Sequence, residues 1–196
     1  MTERFEQAIA AIDAEHAKDP RAADSGEPPE LAYARRMTHW LERLYPNAPE
    51  PLRLAVRAQH IRRWEIRRED YEEGRDGYIR WRNHLKRHHA RLTSEILENC
   101  GYGDETTTRV RDLLRKRGVK SDPDTQALED AACLVFLETM LEDFAARHPK
   151  EKVASIVAKT WRKMSSRAQE TALDLPAAEK LGAIMGADWQ SRMPTD

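Results

Sequence analysis

The stretch LAVRAQHIRRWEIRREDYEEGRDGYIRWRNHLKRHHARL, residues 54–92, decides the fold of this chain. Apolar residues recur in it at every third or fourth position, first around its start and again in its second half. This period predicts two amphipathic helices, over about residues 51–66 and 78–99. His60 and His89 fall within the apolar stripes, so the pattern predicts two inward-facing imidazoles.

The rest of the chain is predicted to be helical as well. No segment keeps the two-residue period of a strand, while Pro, Gly and capping residues separate helical stretches. We therefore expect an all-α fold with a C-terminal helical tail after Ser165. The predicted helices cover about residues 2–18, 30–45, 51–66, 78–99, 104–118 and 122–147, with another from Pro149.

Composition indicates one compact soluble domain over residues 1–196. The chain is 40% hydrophobic and 34% charged, which is typical of a globular protein with a real core. Its two cysteines, Cys100 and Cys133, are expected to be free thiols of a cytoplasmic protein. No run reaches about 18 apolar residues, so neither a membrane span nor a secretion signal is expected.

The charge is unevenly distributed. The formal net charge is −1, but residues 53–91 contain twelve Lys or Arg against six acidic residues. A local excess of this kind indicates a region that faces an anion. The alternative is that most of these side chains lie on solvated helix faces.

A second polar feature lies on the stretch ALEDAACLVFL, residues 127–137, which is apolar almost all round and therefore predicted to be central. Glu129 and Asp130 stand at its start, and a buried carboxylate needs a cation or an arginine. One hypothesis is a divalent-metal site with His60, His89 and Asp130 as ligands, because each of three helices would supply one fixed ligand. The alternative is a structural network in which Arg62 or Arg63 pairs with these acids.

Three segments, LAVRAQHIRRW, HARLTSEILENCGY and ALEDAACLVFL, resemble in order the metal-binding helices of the HD phosphohydrolase superfamily. The resemblance implies an HD-like helical bundle and metal-dependent hydrolysis. Gln59 and His60 stand where that superfamily has its His-Asp pair.

A longer resemblance covers nearly the whole chain. The segments YARRMTHWLERLYP, RAQHIRRW, GRDGYIRWR, HARLTSEIL, LLRKRGVKSDPDTQALEDAACLVFLE and KTWRKMS are similar to the blocks of the family catalogued as domain of unknown function four-two-zero-two, which implies no established activity. Arg67 stands where a proline is expected. The residues that match the blocks are Arg36, Gln59, His60, Arg63, Trp64, Arg75, Tyr78, Trp81, Arg82, His89, Lys116, Gln126, Glu129, Asp130 and Lys159.

These observations support three functional hypotheses of different classes. The first is a metal-dependent hydrolase of a small phosphorylated or other anionic metabolite, with Glu129 as general base. The second, less favoured, is an RNA-associated module, and the third is a non-enzymatic ligand-binding or interaction protein. The oligomeric state is left open. The residues expected to bind the substrate are Gln59, Arg63, Trp64, Arg82 and Lys116.

Overall fold

The computed structural model describes residues 2–21, 26–119, 121–176 and Gly182, and within this part of the chain the regular elements are all helical. The predicted all-α fold is confirmed. The α-helices are α1 (Glu3–His16), α2 (Pro29–Leu44), α3 (Glu50–Arg57), α4 (Gly74–Asn99), α5 (Asp104–Leu114), α6 (Pro123–Val135), α7 (Leu141–Ala146), α8 (Lys150–Trp161) and α9 (Ser166–Leu173).

The chain divides into two compact units, unit 1 (Met1–Leu128) and unit 2 (Glu129–Asp196). In unit 1, α3 packs against α2 and α5, α4 packs against α5, and α1 contacts α2, α3 and α4. Trp40, Leu54 and Leu113 are almost completely buried and belong to the core of this unit. The prediction of one domain over residues 1–196 stays a prediction.

The helix predicted over residues 51–66 is shorter than expected, so the predicted end was wrong. α3 ends at Arg57, and the chain then turns through His60 and Arg62, whose φ angles of 68° and 48° are left-handed. An L-residue in that conformation breaks the right-handed helix. His60 therefore projects from a turn, and the apolar period that extended into this segment reflects burial of the turn.

α4 begins four residues earlier than predicted, at Gly74. Gly77 lies in its first turn, where a Cβ atom would stand 2.0 Å from the carbonyl oxygen of Glu72. The glycine therefore permits a close backbone approach in the first turn of the helix. The segment before α4 contains two 3₁₀ turns, Arg63–Glu65 and Arg68–Asp70.

Several helix starts follow their capping residues as predicted. The hydroxyl of Thr2 accepts a hydrogen bond from the Phe5 N–H at 3.2 Å, and the Asp122 carboxylate accepts one from the Asp124 N–H at 3.1 Å. These side chains satisfy N–H groups that the first turn of a helix leaves without partners.

In unit 2, α7 packs against α8. The predicted continuous helix over residues 122–147 is helical throughout, but residues Phe136–Met140 form a π-helical turn within it. Leu134 and Val135 are fully buried. The predicted tail beyond residue 176 lies outside the described residues except for Gly182. None of the helices in the described residues is long and apolar enough to cross a membrane.

Candidate anion-binding site

Unit 1 contains a small open pocket, called here the anion pocket, which holds about 290 Å³ of empty space including the part open to solvent. Three parts of the chain form it: the turn after α3, the middle of α4 and the end of α5. Its lining residues are Gln59, His60, Arg63, Arg82, Leu85, Lys86, His89, Leu114 and Lys116.

Positive charge dominates the lining. Four side chains are cationic, namely Arg63, Arg82, Lys86 and Lys116, and no carboxylate is among the lining residues that the structure describes. The ion pairs that the described residues form include neither Arg63 nor Arg82. Cations gathered in a concave site attract anions strongly, because the surrounding protein excludes part of the screening water.

The two predicted inward imidazoles meet at this pocket. The ring centroids of His60 and His89 are 5.8 Å apart, and the Tyr33 ring stacks on His60 with a centroid distance of 4.3 Å. Burial, and then the nearby Arg63 guanidinium, hold the pKa of each histidine well below its ordinary value. Both imidazoles are therefore neutral at pH 7.

His89 carries the clearest sign of an incomplete site. His89 is only 4% exposed, and its Nε2 atom has no hydrogen-bond partner among the described residues. A buried polar atom without a partner costs roughly 1–3 kcal/mol. His89 also lines the pocket, so a ligand bound there is one group that can supply the missing partner.

His60 lies between groups of opposite charge. Its Nε2 atom is 3.4 Å from Nη1 of Arg63, and its Nδ1 atom is 3.7 Å from Oε2 of Glu30. The other carboxylate oxygen of Glu30 accepts a hydrogen bond from Arg21 at 2.7 Å. Because a guanidinium only donates hydrogen bonds, the Nε2 atom of His60 acts as the acceptor and Nδ1 carries the proton.

The backbone at the pocket is strained at two lining residues, His60 and Lys116, whose φ angles are 68° and 54°. Lys116 follows α5 at the position where a glycine usually ends a helix. The Lys116 N–H donates a hydrogen bond to the Leu113 carbonyl at 2.8 Å, and the Arg117 N–H donates one to the Asp112 carbonyl at 3.3 Å. A left-handed L-residue costs roughly 1–2 kcal/mol. Strain that persists at a pocket is characteristic of functional sites.

Lys116→Gly tests this strain. We expect the free energy of unfolding to rise by up to about 1 kcal/mol, because glycine relieves the left-handed strain while losing somewhat more chain entropy. Phosphate affinity is expected to fall, because the ammonium group leaves the pocket. Urea titration measures the first effect and calorimetric titration the second.

Lys116→Ala is the matched control, since it removes the same charge and keeps a Cβ atom. It should lose phosphate affinity without gaining stability. A glycine variant less stable than the alanine variant would contradict the assignment of strain to this residue.

Histidine burial also predicts how stability depends on pH. Burial lowers the pKa of His16, His60, His88 and His89. Below about pH 6.5 the unfolded chain therefore binds more protons at these histidines than the folded chain does. The stability that the histidines contribute above that pH is lost as the pH falls. Burial raises the pKa of Glu30, which opposes this dependence, but four histidines outweigh one carboxyl group. Urea unfolding between pH 5.5 and 8 measures the slope.

His89→Gln should reduce that slope, because one buried titrating group is removed. His84→Gln, at an exposed position on the same helix, should leave the slope unchanged. A free energy of unfolding that is independent of pH in this range would show that these imidazoles are not held neutral by the fold.

Of the expected substrate-binding residues, Gln59, Arg63, Arg82 and Lys116 all line the anion pocket, whereas Trp64 does not. Trp64 lies half-buried in the 3₁₀ turn after His60. Lys86 was missed by the sequence argument. Its position four residues after Arg82, on the same face of α4, is the signal that identifies it.

Glu129 and Asp130 lie in unit 2 and have partners there. Both oxygens of Asp130 accept hydrogen bonds from Ser165, one from its N–H at 2.8 Å and one from its hydroxyl at 2.6 Å. Glu129 forms an ion pair with Lys163 at 3.3 Å. Asp130 thereby anchors the residue that caps α9, and its proposed convergence with His60 and His89 stays a prediction.

The described residues include no group of three or more His, Cys, Asp or Glu side chains placed to hold a metal ion. In unit 1 the two imidazoles of the pocket are surrounded by four cations, with one carboxylate, Glu30, close to His60. Divalent cations prefer donor sets that carry negative charge. The lining therefore suits an anion better than a metal ion, and the predicted divalent metal stays a prediction.

Comparison with known proteins identifies the family. No curated protein and no solved structure matches the chain, so the resemblance to the HD superfamily stays a prediction. A family model described as "Domain of unknown function (DUF4202)" matches residues 6–185, nearly the whole chain. The chain belongs to the DUF4202 family.

Proposed function

We propose that this protein binds a small phosphorylated or similarly anionic metabolite in the anion pocket. The observation that carries the proposal is one pocket lined by four cationic side chains and two neutral imidazoles, the half-buried His60 and the buried His89, whose Nε2 atom has no partner among the described residues. A phosphate group supplies what this lining lacks, namely negative charge and several strong acceptor oxygens.

Each type of side chain has a distinct part in binding. Arg63 and Arg82 present planar guanidinium groups that can donate paired hydrogen bonds to phosphate oxygens, while Lys86 and Lys116 act as point charges. The negative charge of a bound phosphate favours protonation of His89. Its Nε2 then donates a hydrogen bond to the ligand, and the cost of leaving that atom without a partner disappears.

The distribution of the remaining charges favours a small ligand over RNA. Outside the pocket, arginines of the basic region pair with acids: Arg57 with Asp13, Arg67 with Glu69, Arg80 with Glu72 and Arg91 with Glu95. Paired arginines contribute little to the extended positive surface that an RNA-binding module needs. The anion pocket brings four of the basic side chains of unit 1 together at one concave site.

Hydrolysis of the bound ester is a second candidate function. It is favoured by the neutral state of His60 and His89, since a neutral imidazole can take a proton from an attacking water. The positive lining of the pocket itself favours binding without a resident metal.

The test is a calorimetric titration of the purified full chain with inorganic phosphate at 50 and 200 mM NaCl. We expect saturable binding that weakens at the higher salt concentration, because charges drive it and salt screens them. Absence of binding at millimolar phosphate would overturn the proposal, and tight binding of single-stranded RNA in its place would support the RNA-associated module.

The same preparation separates binding from hydrolysis. Phosphate release from a panel of phosphomonoesters is measured with and without added Mg²⁺, Mn²⁺ and Zn²⁺, and the metal content is determined in protein purified without chelator. Release of phosphate supports the hydrolase. Binding without release under every condition assigns the pocket to a ligand-binding protein.

A further inference from the structure

An aromatic ring lies beside the anion pocket on α4, the helix that supplies two of its four cations. Tyr78, Arg82 and Lys86 are spaced four residues apart and therefore share one face of α4. Arg82 and Lys86 line the pocket, whereas Tyr78 is 46% exposed. One face of α4 therefore carries the exposed Tyr78 ring next to the positive charges of the pocket.

The contacts of Arg82 connect the ring to the pocket. Its guanidinium carbon lies 5.9 Å from the centre of the Tyr78 ring, and Nη1 donates to the Tyr78 hydroxyl at 3.4 Å. Arg63 lies over Trp81 in a similar way, at 4.9 Å. Both pocket arginines are therefore held against aromatic rings, which orients them at low entropic cost.

The two aromatic residues nevertheless differ in how the fold uses them. Trp81 is 8% exposed and its indole N–H donates to the Ile66 carbonyl at 3.0 Å, so burial and hydrogen bonding account for it. Tyr78, in contrast, is among the exposed large hydrophobic residues. Nearly half of its surface remains available to a planar group.

We propose that the ligand is a phosphate ester that carries a planar ring, with its phosphate in the anion pocket and its ring stacked on Tyr78. This inference rests on the proposed function and names its ligand class. Four residues of helix span about 6 Å, a distance that a pentose between ring and phosphate can bridge. A nucleoside monophosphate has this composition.

The experiment compares three probes by calorimetric titration of the full chain: inorganic phosphate, ribose 5-phosphate and adenosine 5′-monophosphate. The wild-type chain should bind the adenosine ester about tenfold more tightly than the ribose ester, as expected for one stacked ring. Tyr78→Ala should abolish this preference, and Tyr78→Phe should retain it.

Ile79→Ala is the matched control, because Ile79 is the next residue of α4 and is 43% exposed. It should leave the preference intact, and far-ultraviolet circular dichroism should show that each variant is folded. Equal wild-type affinities for the two esters would overturn the inference while leaving the proposed function in place. A preference for the adenosine ester that survives Tyr78→Ala would also overturn the inference. Equal weakening of the binding of all three probes in that variant would overturn it too, because it would show that Tyr78 acts by positioning Arg82. Failure of the wild-type chain to bind any probe would overturn the proposed function itself.

Discussion

Arg82→Ala is expected to weaken phosphate binding by about 10- to 100-fold, because a hydrogen bond to a charged group contributes roughly 1.5–3 kcal/mol. Arg82 lines the anion pocket, and its guanidinium contacts the ring and the hydroxyl of the exposed Tyr78. Its removal therefore leaves the core of unit 1 intact. Calorimetric titration with inorganic phosphate measures the loss.

The matched control is Arg80→Ala. Arg80 lies two residues away on α4, is exposed, and pairs with Glu72. This variant should change phosphate affinity less than twofold, since the side chain does not line the pocket. Equal losses in the two variants would show that the region attracts phosphate by general positive charge and that the pocket has no special role.

Leu134→Ala is expected to lower the free energy of unfolding by about 2–4 kcal/mol, the usual cost of deleting a fully buried leucine side chain. Leu134 and its neighbour Val135 are both 0% exposed. The loss combines the transfer free energy of the deleted carbons with the cavity that the backbone of α6 cannot close. Denaturant titration followed by circular dichroism measures it.

His84→Ala serves as the control for that measurement. His84 is exposed on α4, and changes at exposed positions stay within about 0.5 kcal/mol. If the two variants unfold at the same denaturant concentration, the burial assigned to α6 is wrong.

Local signals predicted the helices well. Thr2 and Asp122 cap helices because their side-chain oxygens reach N–H groups two or three residues along the chain, an interaction that depends only on nearby residues. Burial of α6 also followed from composition, because a stretch that is apolar on every side has no face suited to water.

The period of apolar residues could not predict where α3 ends or that His60 lies in a turn. An apolar residue at every third or fourth position is equally compatible with a helix and with a buried turn that follows one. The left-handed backbone of His60 and Arg62 carries a local energetic cost, so only the packing around it can sustain that conformation. A local pattern cannot predict a state that local energies disfavour.

The partners of the acids illustrate the same limit. Glu129 and Asp130 need cations or donors if they are buried, as the sequence argument held, but several arginines were available as partners. The observed partners, Lys163 and Ser165, lie 34 and 35 residues along the chain. Which donor meets a buried carboxylate depends on how the chain returns to it, and no local pattern encodes that path.

By itself, the sequence determined an all-α chain, its main helix breaks, and the small set of basic and histidine residues from which a site is built. Those properties follow from nearest-neighbour sterics, capping and the free energy of burying apolar faces. Only the tertiary structure decided that Gln59, His60, Arg63, Arg82, Lys86, His89 and Lys116 share one pocket and that Tyr78 stands open beside it. Convergence of residues from the turn after α3, from α4 and from α5 depends on packing between segments far apart in the chain, which sequence spacing does not record.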